Sequence, residues 1–127
     1  MNLLLDTHVF LWYISADQRL PTAWQAQIQD STNDVFLSVV SIWEAIVKYQ
    51  LGKLPLPAPP QIYLPEQRHR HNIASLSIDE GSVTAIALLP ALHRDPFDRV
   101  LLAQAITHDL TVLTVDSVLR AYPAKFL

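Results

Sequence analysis

Four acidic residues, Asp6, Glu44, Asp98 and Asp116, stand where carboxylate chemistry can be built. Asp6 follows the apolar run Asn2-Leu3-Leu4-Leu5, and Asp116 follows the β-branched run Thr111-Val112-Leu113-Thr114-Val115. Glu44 and Asp98 fall in the first turns of predicted helices. Each acid alone has an ordinary structural use. Asp6 or Thr7 can cap a helix, Glu44 can close a capping box with Ser41, Asp98 can serve a helix dipole, and Asp116 can cap the last helix. Their common placement is harder to explain that way. In a parallel sheet the strand ends and the helix starts share one edge, so all four carboxylates converge there. Like charges about 4 Å apart repel by roughly 1–4 kcal/mol at surface-like dielectric. Such a cluster calls for a hard dication. Carboxylate oxygens with room for water suit Mg²⁺ or Mn²⁺, whereas zinc prefers His or Cys. An ion held at an open edge can activate water and clamp a phosphate.

The elements that must position these acids follow from pattern. Asn2–Leu5 reads as a buried parallel strand, followed by a helix over His8–Ile14 with Thr7 as its cap. Pro21 opens a helix to about Asp30, and Ser31-Thr32-Asn33-Asp34 is a turn. Val35–Ser38 is a second strand. Ser41-Ile42-Trp43-Glu44 matches a capping box, with Ile42, Ala45, Ile46 and Tyr49 on one face and Gly52 at the end. Leu54 to Pro60, with four prolines, is an extended connector. A polar helix spans Ile62 to about His71, and Asn72–Leu76 is a weak third strand. Ser77-Ile78-Asp79-Glu80 is a second capping-box match, opening a helix to about Leu89. Asp95-Pro96 starts the next helix, with Asp95 as cap, running to about His108. Thr111–Val115 is a strand, Ser117–Ala121 a short helix, and Lys125–Leu127 a final short strand. Strands alternating with helices predict a three-layer α/β/α domain with a mostly parallel sheet of four to five strands.

Composition narrows the classes. The chain of 127 residues suits one domain over 1–127. It has no cysteine, which removes disulfides and thiolate metal sites and fits a cytoplasmic setting. Only two glycines occur, so glycine-rich nucleotide loops are excluded. No apolar run approaches the roughly 18 residues of a membrane helix, so no membrane partner is expected. The net charge of −3 does not advertise nucleic acid, but neutralising four carboxylates would turn the balance positive.

The sequence resembles the PIN-domain ribonucleases, specifically the VapC-type toxins of bacterial type II toxin–antitoxin pairs. The resemblance lies in Leu4-Leu5-Asp6-Thr7-His8, Ser41-Ile42-Trp43-Glu44, His93-Arg94-Asp95-Pro96-Phe97-Asp98-Arg99 with Leu102-Ala103-Gln104-Ala105, and Leu113-Thr114-Val115-Asp116. These pieces cover essentially the whole chain in order. The resemblance implies Mg²⁺- or Mn²⁺-dependent endoribonuclease activity on RNA, neutralisation by a cognate VapB-like antitoxin, and a homodimer. Asp6, Glu44, Asp98 and Asp116 fall on the family's four acidic positions. Asp6 and Asp98 are implied as direct ligands, Glu44 as a ligand or a water-orienting group, and Asp116 as binding through water. Asp95 stays a helix cap. Thr7 and Thr114 flank the site and hydrogen-bond a carboxylate or a phosphate. Arg99 departs from the apolar residue common at its position, and reaches a phosphate or folds onto a neighbouring acid.

Arg94, Arg99 and Lys48 are the better phosphate and RNA candidates, because they lie close in sequence to the acids. His8 and His93 read as local polar residues rather than ligands. Arg68, His69, Arg70 and His71 read as a solvated helix end. Trp12, Tyr13 and Trp43 read as core or interface, an exposed one suiting an antitoxin segment in an apolar groove. Two other classes compete. One is a phosphoacceptor receiver-like signalling domain with Lys125 as its switch lysine. It lacks a paired acid after strand one and an acceptor after strand three. The other is a catalytically idle PIN-like binding protein.

Overall fold

Leu3, Leu4 and Leu5 are all fully buried, although successive residues of a strand face opposite ways. Both faces of β1 (Asn2–Leu5) must therefore be covered. The computed structural model, which describes residues 1–127, shows β1 at the centre of a five-stranded sheet. The order is β3-β2-β1-β4-β5, with β2 Asp34–Ser38, β3 Ala74–Leu76, β4 Thr111–Leu113 and β5 Lys125–Phe126. Every pairing is parallel.

Alternation along the strands builds two cores. Leu3, Leu5, Val35, Leu37 and Leu113 pack with Val9 and Phe10 of α1 (Thr7–Ile14) and Ile28 of α2 (Thr22–Gln29). Ala45 of α3 (Val39–Gln50) and Leu64 of α4 (Pro60–Arg70) complete that face. Leu4 and Val112 face the other way, against Val40 and against Leu101 and Ala105 of α6 (Pro96–Thr107). The short α5 (Glu80–Ala85), continued by a 3₁₀ turn over Ile86–Leu88, packs on α6. Each buried leucine contributes on the order of 2 kcal/mol. No helix is long and apolar enough to cross a membrane. From β1 the chain moves outward through β2 and β3, then returns across to β4 and β5. The reversal leaves a crevice at the carboxyl ends of β1 and β4, where ligands bind in such sheets.

The elements agree with the sequence pattern, but three caps and several boundaries differ, with α4 starting at Pro60, β3 at Ala74 and the last short helix reduced to a 3₁₀ turn over Leu119–Ala121. Asp6, not Thr7, caps α1, its side chain accepting from the Thr7 N–H, so Thr7 is the first helical residue. α3 starts directly after β2, capped by Ser38, whose Oγ accepts from the Val40 N–H at 3.1 Å. Ser41 therefore lies inside the helix with an unpartnered buried hydroxyl, and Glu44 sits in the second turn with no capping duty. Asp79, not Ser77, caps α5 through the Ser82 N–H at 2.7 Å. That helix is much shorter than the expected span to Leu89. β4 ends at Leu113, two residues short of the expected Val115, and the next residue, Thr114, donates its hydroxyl to Asp6.

One buried polar strut ties α6 to the far sheet edge. Gln104 has no exposure; its Oε1 accepts from Ser38 Oγ at 2.5 Å and its Nε2 donates to the Ser77 carbonyl at 3.1 Å. Replacing Gln104 by Leu keeps most of the volume but strands both partners, so stability should fall by about 1–3 kcal/mol in urea denaturation. A loss below about 0.5 kcal/mol would show that the strut contributes nothing net.

Candidate active site

The four acids reach the crevice from four elements. Asp6 leaves the end of β1, and its N–H donates to the Leu113 carbonyl of β4 at 3.0 Å. Its Oδ1 accepts from the Thr7 N–H at 2.7 Å and its Oδ2 from Thr114 Oγ1 at 2.8 Å. Burial pushes the Asp6 carboxyl above its ordinary range, opposed first by the Thr114 hydrogen bond. Glu44 comes from α3, with Oε1 accepting from Thr7 Oγ1 at 2.7 Å and Oε2 from Lys48 Nζ at 2.8 Å. Lys48 is partly buried, which alone would lower its pKa. The Glu44 hydrogen bond and the nearby negative charges outweigh this and raise it.

Asp98 occupies the third position of α6 and is buried. Its pKa is pushed up to about 7, first by burial, then by the negative charges of Asp95, Asp6 and Glu44. Asp116 lies beyond β4, where Oδ1 accepts from the Val118 N–H at 2.8 Å and the Leu119 N–H at 3.4 Å. Its own N–H donates to Thr114 Oγ1 at 3.1 Å. Thr114 therefore links the acids that follow β1 and β4.

The carboxylates line one cavity of about 390 Å³. Ligand atoms of Glu44, Asp95 and Asp98 lie within 4.8 Å of one another, and so do those of His93, Asp98 and Asp116. Asp98 belongs to both groups. Buried, mutually repelling carboxylate oxygens, one of them near neutrality in its pKa, are the donor chemistry of a hard divalent cation. The site residues fit one.

Asp95 keeps its cap, accepting from the N–H groups of Phe97 at 2.9 Å and Asp98 at 3.4 Å, yet its carboxylate also joins the acid cluster. Its spacing of three from Asp98, which puts both on one face of a first helical turn, is the signal that could have found it. His8, Trp12 and His93 line the same cavity. Thr7 and Thr114 spend their hydroxyls on carboxylates. Lys48 lies at the cavity. Arg94 is exposed and does not line it. Arg99 reaches neither a phosphate-ready position nor an acid. Its guanidinium donates to the carbonyls of Pro90 at 3.0 Å and Ile86 at 3.3 Å and to Tyr122 Oη at 3.2 Å. Backbone carbonyls and a phenol hold it because they are its nearest acceptors once α6 packs against the 3₁₀ turn. Trp43 is exposed by 56% and meets Phe97 edge-on at 4.9 Å. Lys125 pairs with Asp109 at 2.5 Å and is in register with Thr111, the first residue of β4. That is the sheet edge opposite the acids, so Lys125 does not stand at the site as a receiver's switch lysine would.

Ribonuclease VapC16 of Mycobacterium tuberculosis is 42% identical over 57 residues, 45% of this chain and only 40% of that protein's length. Ribonuclease VapC22 of the same organism is 28% identical over 122 residues, 95% of this chain and 92% of that protein. A crystal structure of VapBC2 from Rickettsia felis, bound to a DNA fragment from their promoter, superposes with a TM-score of 0.74. It is 15% identical and covers 100% of this chain and 98% of that one, a likeness of fold. A family model described as the PIN domain matches residues 3–125, and with the parallel sheet already traced around β1 this makes the chain a member of the PIN-domain family.

Proposed function

We propose that this chain is a metal-dependent endoribonuclease, the toxin half of a toxin–antitoxin pair, acting as a single PIN-like domain in the cytoplasm. The observation that carries it is the meeting of Asp6, Glu44, Asp98 and Asp116 in one cavity at the carboxyl end of the sheet. Support for RNA as substrate comes from the two relatives named ribonuclease. Support for an antitoxin comes from the VapBC complex of like fold. An apolar groove of about 370 Å³ beside the acid cavity shares His8 and Trp12 with it and is walled by Leu11, Leu54, Leu56 and Tyr63. An apolar antitoxin segment would suit that groove. The same reading includes a homodimer.

Asp6 and Asp98 would hold Mg²⁺ or Mn²⁺ directly, Glu44 directly or by orienting water, and Asp116 through water. When bound, such an ion supplies an activated water nucleophile and charge neutralisation at the scissile phosphate. The chain supplies the rest. Thr114 and Thr7 fix Asp6 and Glu44 by hydroxyl donation, so neither carboxylate is free to swing. Lys48, whose side chain is 37% exposed, places a fixed cation beside Glu44 where a phosphate would arrive. Those two threonines are thus proposed to serve the phosphate through the acids. Arg94 remains available only for more distant RNA backbone.

Freed of any antitoxin, the chain should cleave single-stranded RNA with millimolar Mg²⁺ or Mn²⁺ and not with EDTA. Asp98→Asn should lower the rate by at least about 100-fold. Retained cleavage in that variant would overturn the reading.

Asp98 also predicts a pH dependence of metal-free stability. An unfolded aspartate titrates near 3.9, whereas Asp98 in the fold titrates at about 7. The folded state therefore holds this proton longer, and stability falls as pH rises from about 4 to 7. Asn at 98 removes the repelled charge at the cost of a helix-dipole interaction worth about 0.3–1 kcal/mol. Burial of the charge and its repulsion by the other acids outweigh this, so metal-free Asp98→Asn should melt roughly 3–8 °C above wild type at pH 8 and show a flatter pH profile by calorimetry. A lower melting point would assign Asp98 to capping alone. Millimolar Mg²⁺ or Mn²⁺ should raise the wild-type melting temperature by mass action, and indifference to both ions would count against the site.

A further inference from the structure

We propose that His93 is a positioning residue, a locked donor that sets the Asp98 carboxylate and is not itself a ligand. Its Nδ1 accepts from the backbone N–H groups of Arg94 at 3.0 Å and Asp95 at 3.4 Å. A ring nitrogen that accepts carries no proton, so the neutral ring bears its proton on Nε2. Nε2 stands 2.9 Å from Asp98 Oδ2. A His ligand at this place would need a lone pair on Nε2, which this tautomer denies, although the His93, Asp98 and Asp116 ligand atoms lie close enough to share an ion.

The ring cannot easily turn away, because its loop is clamped. The His93 N–H donates to Tyr122 Oη at 2.8 Å. Tyr122 is buried against Leu102 and Leu119, so this anchor belongs to the core. Arg99, one turn into α6, donates to the same phenol oxygen and to the Pro90 and Ile86 carbonyls. The loop ahead of Asp95 is thus held by α6 behind it and by the C-terminal segment below it. His93 is the point where that clamp touches the acid cluster.

This inference rests on the proposed cation site, and the test separates the two. Mn²⁺ binding to the full chain is measured from the paramagnetic signal of the free ion, for wild type, His93→Ala, His93→Gln and Tyr122→Phe. A ¹⁵N–¹H correlation of the His93 ring in wild type reports the tautomer. Gln presents an N–H donor near the reach of Nε2 and so replaces the donor. His93→Ala should weaken Mn²⁺ binding about 10-fold or more, the usual effect of losing a group that orients a ligand. His93→Gln should stay within about 3-fold of wild type, Tyr122→Phe should fall between, and the ring should show the Nε2–H form. Wild-type affinity in His93→Ala would make the residue a loop strut only. Equal losses in His93→Gln and His93→Ala would make it a ligand. Either result overturns the proposal, as does an Nδ1–H ring. Should wild type bind no Mn²⁺, the cation reading fails, and the ring tautomer alone decides whether His93 is a donor to Asp98.

Discussion

Mutual repulsion of carboxylates held out of water is the constraint to which the rest of the molecule answers. Asp6, Glu44 and Asp98 are each less than a tenth exposed, and burial, with the charges of three other acids added, pushes Asp98 up to about 7. A flexible chain would let such groups part. Here each is tied by a different device. Asp6 is pinned by a strand bond and by Thr114, Glu44 by Thr7 and Lys48, and Asp98 by its place in the first turn of α6. The price is met by the core. β1 contributes three fully buried leucines immediately before Asp6, so the strand that carries the first acid is also the best anchored.

The cations divide in an instructive way. Lys48 reaches the acids because a helix brings residues four apart onto one face, and Glu44 already points into the crevice. Arg99 is adjacent to Asp98 in sequence, but a helix turns about 100° per residue, so adjacency sends the two side chains in different directions. Asp98 faces the cavity and Arg99 faces the 3₁₀ turn and Tyr122. Closeness along the chain was therefore a poor guide to closeness in space, and periodicity a good one.

The same distinction explains what was legible beforehand. Strand positions, the alternation of strands with helices and the common edge of the acids all follow from hydrophobic period and chain order, which are strong signals. The caps were not legible to the same degree. At α1, α3 and α5 the acting cap lies one to three residues away from an equally plausible residue, at Asp6 beside Thr7, Ser38 before Ser41 and Asp79 after Ser77. Capping preference is worth about 1 kcal/mol, and the burial of Val40 against Leu4 and Leu101 is worth more, so α3 begins where packing requires. The dual use of Asp95 was hidden for a related reason. A cap engages one carboxylate oxygen with the helix and leaves the other side of the group free to join the cluster.

Moving Glu44 out of the first turn also changes what its carboxylate can do. A capping-box glutamate spends an oxygen on a backbone N–H. In the second turn Glu44 has no such duty, and both oxygens meet side chains instead, Thr7 on one and Lys48 on the other. With Asp6 as the cap of α1, Thr7 is its first helical residue, and its hydroxyl donates to Glu44. The displaced caps of α1 and α3 thus meet at the Thr7–Glu44 bond, whereas the one at α5 stands apart from it. At α3 and α1, Ser38 and Asp6 do the capping, and Glu44 and Thr7, which sequence alone would spend on helix ends, bond each other within the acid cluster.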